Sequence, residues 1–174
     1  PGHFFFDERR HEPGHKILLG RRFPEAGEQE GLAALELLAA HPATARHLAT
    51  KLARQFIADE PPAAAVERLS QVYLESEGNL AAVYRALIEL DAAWQDPLAK
   101  VKTPQELIIA AYRGAGRKPP DRPTIGMLRR FGQLPFMAPS PAGWPDDAAS
   151  WIGPEAMLTR IDWAYAVADD LDER

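Results

Sequence analysis

Five histidines and no cysteine limit the chemistry this chain can offer. Two of them fall in His11-Glu12-Pro13-Gly14-His15, which matches the H-E-x-x-H pattern of zinc hydrolases. That chemistry needs a helix, because helical backbone puts residues i and i+4 on one face. Pro13 disfavours helical backbone at Glu12, and Gly14 weakens any helix through this stretch. The segment therefore reads as a tight turn with polar flanks, and neither a metal nor a cofactor is expected. A non-helical site would draw on His3, Asp7, His11 and His15, whose spacing matches no known ligand pattern. His41 and His47 point in different directions on a helix, so they make no ligand pair. His41, before Pro42, reads as a helix-start residue, and His47, beside Arg46, as surface or interface.

Other motifs fail on the same kind of test. Arg113-Gly114-Ala115-Gly116-Arg117-Lys118 has the glycines and bases of a phosphate loop. It ends a helical pattern, whereas phosphate loops present a helix N-terminus to the anion. A glycine C-cap explains it better. Asp146-Asp147 and Asp169-Asp170 are adjacent carboxylates whose side chains diverge on a helix, so neither is an acid/base pair. Nucleophile elbow and G-x-G-x-x-G are both missing.

The bulk numbers agree with a globular protein that is not built for nucleic acid. The chain has 174 residues, 46% hydrophobic and 26% charged, with a net charge of −5. That length supports one domain with a real core. The acidic balance argues against a dedicated nucleic-acid binder, although Arg9, Arg10, Lys16, Arg21 and Arg22 make the start locally basic. Without cysteine there are no disulfides, no thiolate catalysis and no cysteine-bound zinc. No apolar run is long enough to span a bilayer, and "PGHFFFDERRH" lacks the apolar core of a signal peptide. The chain starts at Pro1 rather than Met, which is expected of a processed protein or a piece of a longer one.

The elements that must position these residues are helical. Residues 1–27 read as an irregular lead-in with one short extended piece at Phe4–Phe6. Glu28–Ala40 carries Leu32, Leu35 and Leu38 on one face. A second helix starts at Pro42, with Ala45, Leu48, Ala49, Leu52 and Phe56 following the i, i+3, i+4, i+7, i+11 spacing of one helix face. Pro61 and Pro62 open a third, with Val66, Leu69, Val72 and Tyr73 inward. Gly78 stops it and Asn79 caps a fourth, striped by Leu80, Val83, Tyr84, Leu87 and Ile88. Thr103-Pro104-Gln105-Glu106 is a capping box for a fifth, holding Leu107, Ile108, Ala111 and Tyr112. Thr124 is expected to cap a short helix through Phe131. Residues 132–153 read as a long Pro/Gly-rich loop pinned by Phe136, Trp144 and Trp151. A last helix runs from Pro154 to Asp170. No segment shows sustained period-two alternation. The pattern predicts an all-α fold, an irregular bundle of about seven helices in a single domain over residues 1–174.

Five blocks carry a family resemblance in order: "HEPGHKILLG", "HPATARHLATKLARQFIADEPP", "VYLESEGNLAAVYRAL", "KTPQELIIAAYR" and "FGQLPFMAPSPAGWP". Across nearly its whole length the chain resembles the C-terminal half of the bacterial family catalogued as domain of unknown function 1800. The family pattern more often has Asp at the position of Glu12, and its position at His15 is variable, which makes the zinc-hydrolase match look accidental. The residues that fit the family pattern include His11, Gly14, Lys16, Gly20, His41, Pro42, Lys51, Phe56, Gly78, Gly132, Gln133 and Trp144. The resemblance implies a helical N-terminal half elsewhere in the parent protein, export to the periplasm or cell envelope, and a sulfatase-like neighbour protein as a partner. It implies no catalytic residues. Two readings are open: a helical assembly or interaction domain of an exported bacterial protein, or one wall of an enzyme active site completed by the N-terminal half. His11, Lys16, His41, Lys51 and Gln133 form the candidate cluster whose placement bears on the choice.

Overall fold

The computed structural model of the protein describes residues 2–96 and 98–172. The described residues form seven α-helices and one small two-stranded hairpin, so the fold is mostly helical, as its pattern predicts. The chain divides into two compact units. One gathers the described residues up to Leu52 with Pro62–Leu90; the other gathers Ala53–Pro61 with the described residues from Asp91 on.

The first unit opens with the hairpin, which the pattern of the lead-in does not foretell. Strand β1 (Lys16–Leu18) pairs antiparallel with β2 (Arg21–Phe23), Lys16 opposite Phe23 and Leu18 opposite Arg21. Three residues per strand are too few to display a period of two. The expected extended piece at Phe4–Phe6 is not a strand. Phe4 and Phe5 are exposed, while the Phe6 ring lies 5.3 Å from the His11 ring. The two turn residues, Leu19 and Gly20, both have positive φ, 49° and 77°. A tight two-residue hairpin turn asks for that, and asks for Asn, Asp or Gly to supply it. Leu19 is exposed and meets the demand under strain. Leu19→Asn is expected to raise stability by about 0.5–1 kcal/mol. A thermal midpoint that stays put or falls would show that the turn holds no such strain.

Next come helices α1 (Glu28–Ala39), α2 (Pro42–Phe56), α3 (Ala63–Glu75) and α4 (Leu80–Glu89). In α3 the expected inward residues Val66, Leu69 and Tyr73 are buried, and α3 packs on α4 through a face holding Val83, Ala86 and Leu87. The Tyr73 hydroxyl donates to Ala39 O at 2.9 Å, satisfying a carbonyl at the end of α1. The Asn79 side chain accepts from the backbone N–H groups of Ala81 and Ala82, capping α4 as its residue type predicts.

Three apolar stripes are covered only in part or not at all. The α1 face of Leu32, Leu35 and Leu38 is exposed, with Leu35 at 64%. What α1 turns inward is Glu30, with Ala33, Ala34 and Leu37 half-buried. On α2 the buried line is Ala45, Ala49 and Ala53, and Phe56 is exposed. On α4, Leu80, Tyr84 and Ile88 are exposed. Periodicity identifies a helix and its apolar face; it does not say what covers that face.

The second unit is built on α5 (Pro104–Gly114), α6 (Asp121–Arg130) and α7 (Pro154–Asp172). The capping box of α5 is formed: Glu106 N donates to Thr103 Oγ1, and Thr103 N donates to Glu106 Oε2 at 2.9 Å. Ile108 and Tyr112 of α5, Leu128 of α6 and Trp163 of α7 make the buried core, with Phe131 edge-on to Trp163 at 5.9 Å. Helix α6 begins at Asp121, ahead of the expected Thr124, with Pro120 as its N-cap residue. Pro123 is tolerated there because first-turn N–H groups have no helical acceptor.

The loop over 132–153 is tied down by two of the three expected aromatics. Trp151 is buried, its Nε1 donates to Pro145 O at 2.9 Å, and Trp144 packs against it at 6.1 Å. Phe136, by contrast, is fully exposed with φ of 60°. A polar clasp completes the tie. Lys100 Nζ bonds Asp59 Oδ1 and also donates to Asp146 O at 2.6 Å, while Ala148 N donates to Asp59 Oδ2 at 2.6 Å. The Lys100 bond, and then the Ala148 N–H, hold the Asp59 carboxyl below its ordinary range. A depressed folded value means that this contribution is fully present above the ordinary aspartate range. It is lost as pH falls through the lowered value. Asp59 keeps 31% side-chain exposure, so the clasp is worth about 1.5 kcal/mol after solvent screening. Asp59→Asn is expected to lower stability by that amount at neutral pH and to flatten the acid limb of the stability profile. Equal losses for both proteins on acidification would refute the clasp.

Candidate functional site

Residues 11–15 are non-helical, with Gly14 at φ of 84°, so His11 and His15 do not share a helical face. Gly14 N donates to Glu25 Oε2 at 2.6 Å, which fixes the turn to the segment before α1. His15 is exposed and His11 is half-buried.

The turn brings His11 and Lys16 together on one acid, Glu30, in the first turn of α1. Glu30 is only 7% exposed. Lys16 Nζ lies 3.1 Å from Glu30 Oε1 and also donates to Glu12 O at 2.6 Å and Gly14 O at 2.7 Å. Three acceptors use all three protons of an ammonium. His11 Nε2 stands 3.8 Å from Glu30 Oε2, beyond hydrogen-bond reach, and that oxygen is buried without a partner. The Phe6 ring lies beside the imidazole, its plane tilted by 59°. An acid at the start of a helix gains from the helix dipole as well as from the ammonium.

A carboxylate facing an imidazole is the arrangement that orients a histidine for proton transfer. Here the ammonium is fully engaged by protein acceptors, so the trio first of all fastens the turn and the hairpin to α1. Among the described residues, no group of three or more His, Asp or Glu side chains is placed to hold a metal ion.

The other members of the candidate cluster have their own places. His41 Nδ1 accepts from Ala43 N at 3.1 Å, the capping role its position before Pro42 predicts. Lys51 is exposed on α2. Gln133 belongs to the second unit, is 6% exposed, and joins two helices. Its backbone N–H closes α6 on Leu128 O at 2.8 Å, and its side-chain Oε1 accepts from Gln105 N at 2.8 Å in the first turn of α5.

Sequence reasoning misses Glu30 and the Asp59–Lys100 clasp. Glu30 is a charge on a helix whose leucines look like the inward face. The available signal is its place in the first turn after a basic, histidine-bearing segment. Asp59 and Lys100 are 41 residues apart, and no local pattern links them.

No helix among the described residues is long and apolar enough to cross a membrane. No curated protein and no solved structure matches the chain. The family model described as "Protein of unknown function (DUF1800)" matches residues 1–174, so the chain belongs to that family over its whole length.

Proposed function

We propose that the chain is a helical assembly domain, and that the uncovered leucine face of α1 is its docking surface. The observation that carries this reading is the exposure of Leu32, Leu35 and Leu38 on one helix. The same unit also exposes Phe4 and Phe5, and Ile17 and Leu19 of the hairpin. Clustered apolar exposure of this kind marks an interaction site on a soluble protein. Burying one leucine side chain contributes about 1.5–3 kcal/mol, so three supply a useful gross term before the cost of association. An amphipathic helix in a partner is the natural cover. The partner we favour is the helical N-terminal half that the family resemblance implies. In light scattering, the chain alone should self-associate with rising concentration, and the N-terminal half supplied in trans should compete that away. A chain that stays monomeric and ignores the other half at high micromolar concentration would count against the proposal.

One observation favours a second reading, an enzyme site with this chain as one wall. Glu30 Oε2 is buried, unpartnered and turned toward His11. A working carboxylate must be reachable by substrate. Under this reading a water-soluble carbodiimide labels Glu30 in the folded protein. Labelling only after unfolding would leave the trio as a fastening.

A further inference from the structure

We propose that the second unit binds an amphipathic anion, a carboxylate carried on an aromatic or medium-chain apolar body, in a cavity formed by α5, α6 and α7. The cavity holds about 500 Å³, within the usual range for small-molecule sites. Its apolar wall comes from Ile108, Met127, Trp163 and Val167. Its polar groups are Tyr112, Thr124, Arg117 and Lys118. Both charges on its wall are thus cationic, and no carboxylate lines it among the described residues, in a chain whose net charge is −5.

The basic pair is held in place by the backbone. Gly116, at φ of 68°, closes α5: Gly116 N donates to Arg113 O at 3.0 Å, and Arg117 N donates to Tyr112 O at 2.9 Å. This paired C-cap sets Arg117 and Lys118 where the chain leaves the helix, beside the cavity. The segment is no phosphate loop, since the helix ends there. Cations at a helix C-terminus complement its dipole, which accounts for their presence but not for the apolar cavity beneath them.

Anion selectivity, with an apolar tail, is the property that distinguishes this site from the exposed apolar surface of the first unit. The test is calorimetric titration of the full chain with octanoate and, separately, with octylammonium, both below micelle formation. Octanoate is expected to bind about tenfold more tightly, the scale of one good charge contact. It should shift the Trp163 indole resonance. Lys118 is exposed, so Lys118→Glu should leave the fold intact and weaken octanoate several-fold while strengthening octylammonium. Ala166→Phe, which places a ring in the cavity, should weaken both. Equal affinity for the two probes, absence of binding by either, or octanoate binding indifferent to Lys118→Glu would overturn the proposal.

Discussion

Lys16→Met is expected to lower the unfolding free energy by about 3 kcal/mol. The ammonium serves three acceptors at once, Glu30 Oε1 and the carbonyls of Glu12 and Gly14. Removing it leaves a carboxylate that is 7% exposed, facing His11 at 3.8 Å. Breaking a buried pair costs more than the pair is worth, because one charge is left without compensation. The figure sits at the low end of that range because Lys16 keeps 31% side-chain exposure and its charge is partly screened. Glu30→Gln on the Lys16→Met background should recover part of the loss, since the stranded charge is gone. Urea unfolding of the four proteins in this cycle measures the coupling directly. A Lys16→Met loss within about 0.5 kcal/mol would mean that the turn is not fastened to α1 in solution.

Trp163→Ala is expected to cost about 4 kcal/mol, for a different reason. Trp163 is buried at 5% exposure among Ile108, Tyr112 and Leu128, and Phe131 meets its ring edge-on. Truncating it removes both the burial of a large side chain and its packing contacts, and leaves a cavity that the surrounding helices do not collapse to fill. Trp163→Phe should cost much less. The contrast between the two variants, read from thermal or denaturant unfolding, separates packing from a general intolerance of change. Equal and small losses would contradict the core described for this unit.

Much of the fold is legible in the sequence where local chemistry determines it. Asn79, the Thr103–Glu106 box, Pro104 and Gly116 mark helix ends because each satisfies a specific backbone group or conformation. The turn at His11–His15 is legible for the same reason: Pro13 and Gly14 act on their own backbone. The illegible features depend on partners distant in the chain. The leucines of α1 have the right period, yet Glu30 faces inward, because Lys16 on a hairpin strand supplies the charge that makes its burial tolerable. Of the three aromatics that look like anchors by residue type, Trp144 and Trp151 hold the loop, the latter through its indole N–H on Pro145 O, and Phe136 does not. Of the candidate cluster, His11 and Lys16 meet, while His41 and Gln133 hold helix ends, a role that polar residues near Pro and Gly often fill. Glu30, the residue on which the pair converges, carries no signal of its own beyond its first-turn position.

If the exposed face of α1 docks the helical N-terminal half that the family resemblance implies, titrating that half into this chain and into its Leu32→Glu, Leu35→Glu variant should tell the two apart. Both leucines are exposed, so the variant should unfold within about 0.5 kcal/mol of the original chain. Its affinity should fall by at least about a hundredfold, the loss of two buried leucines. Undiminished binding by a variant of unchanged stability would contradict the account.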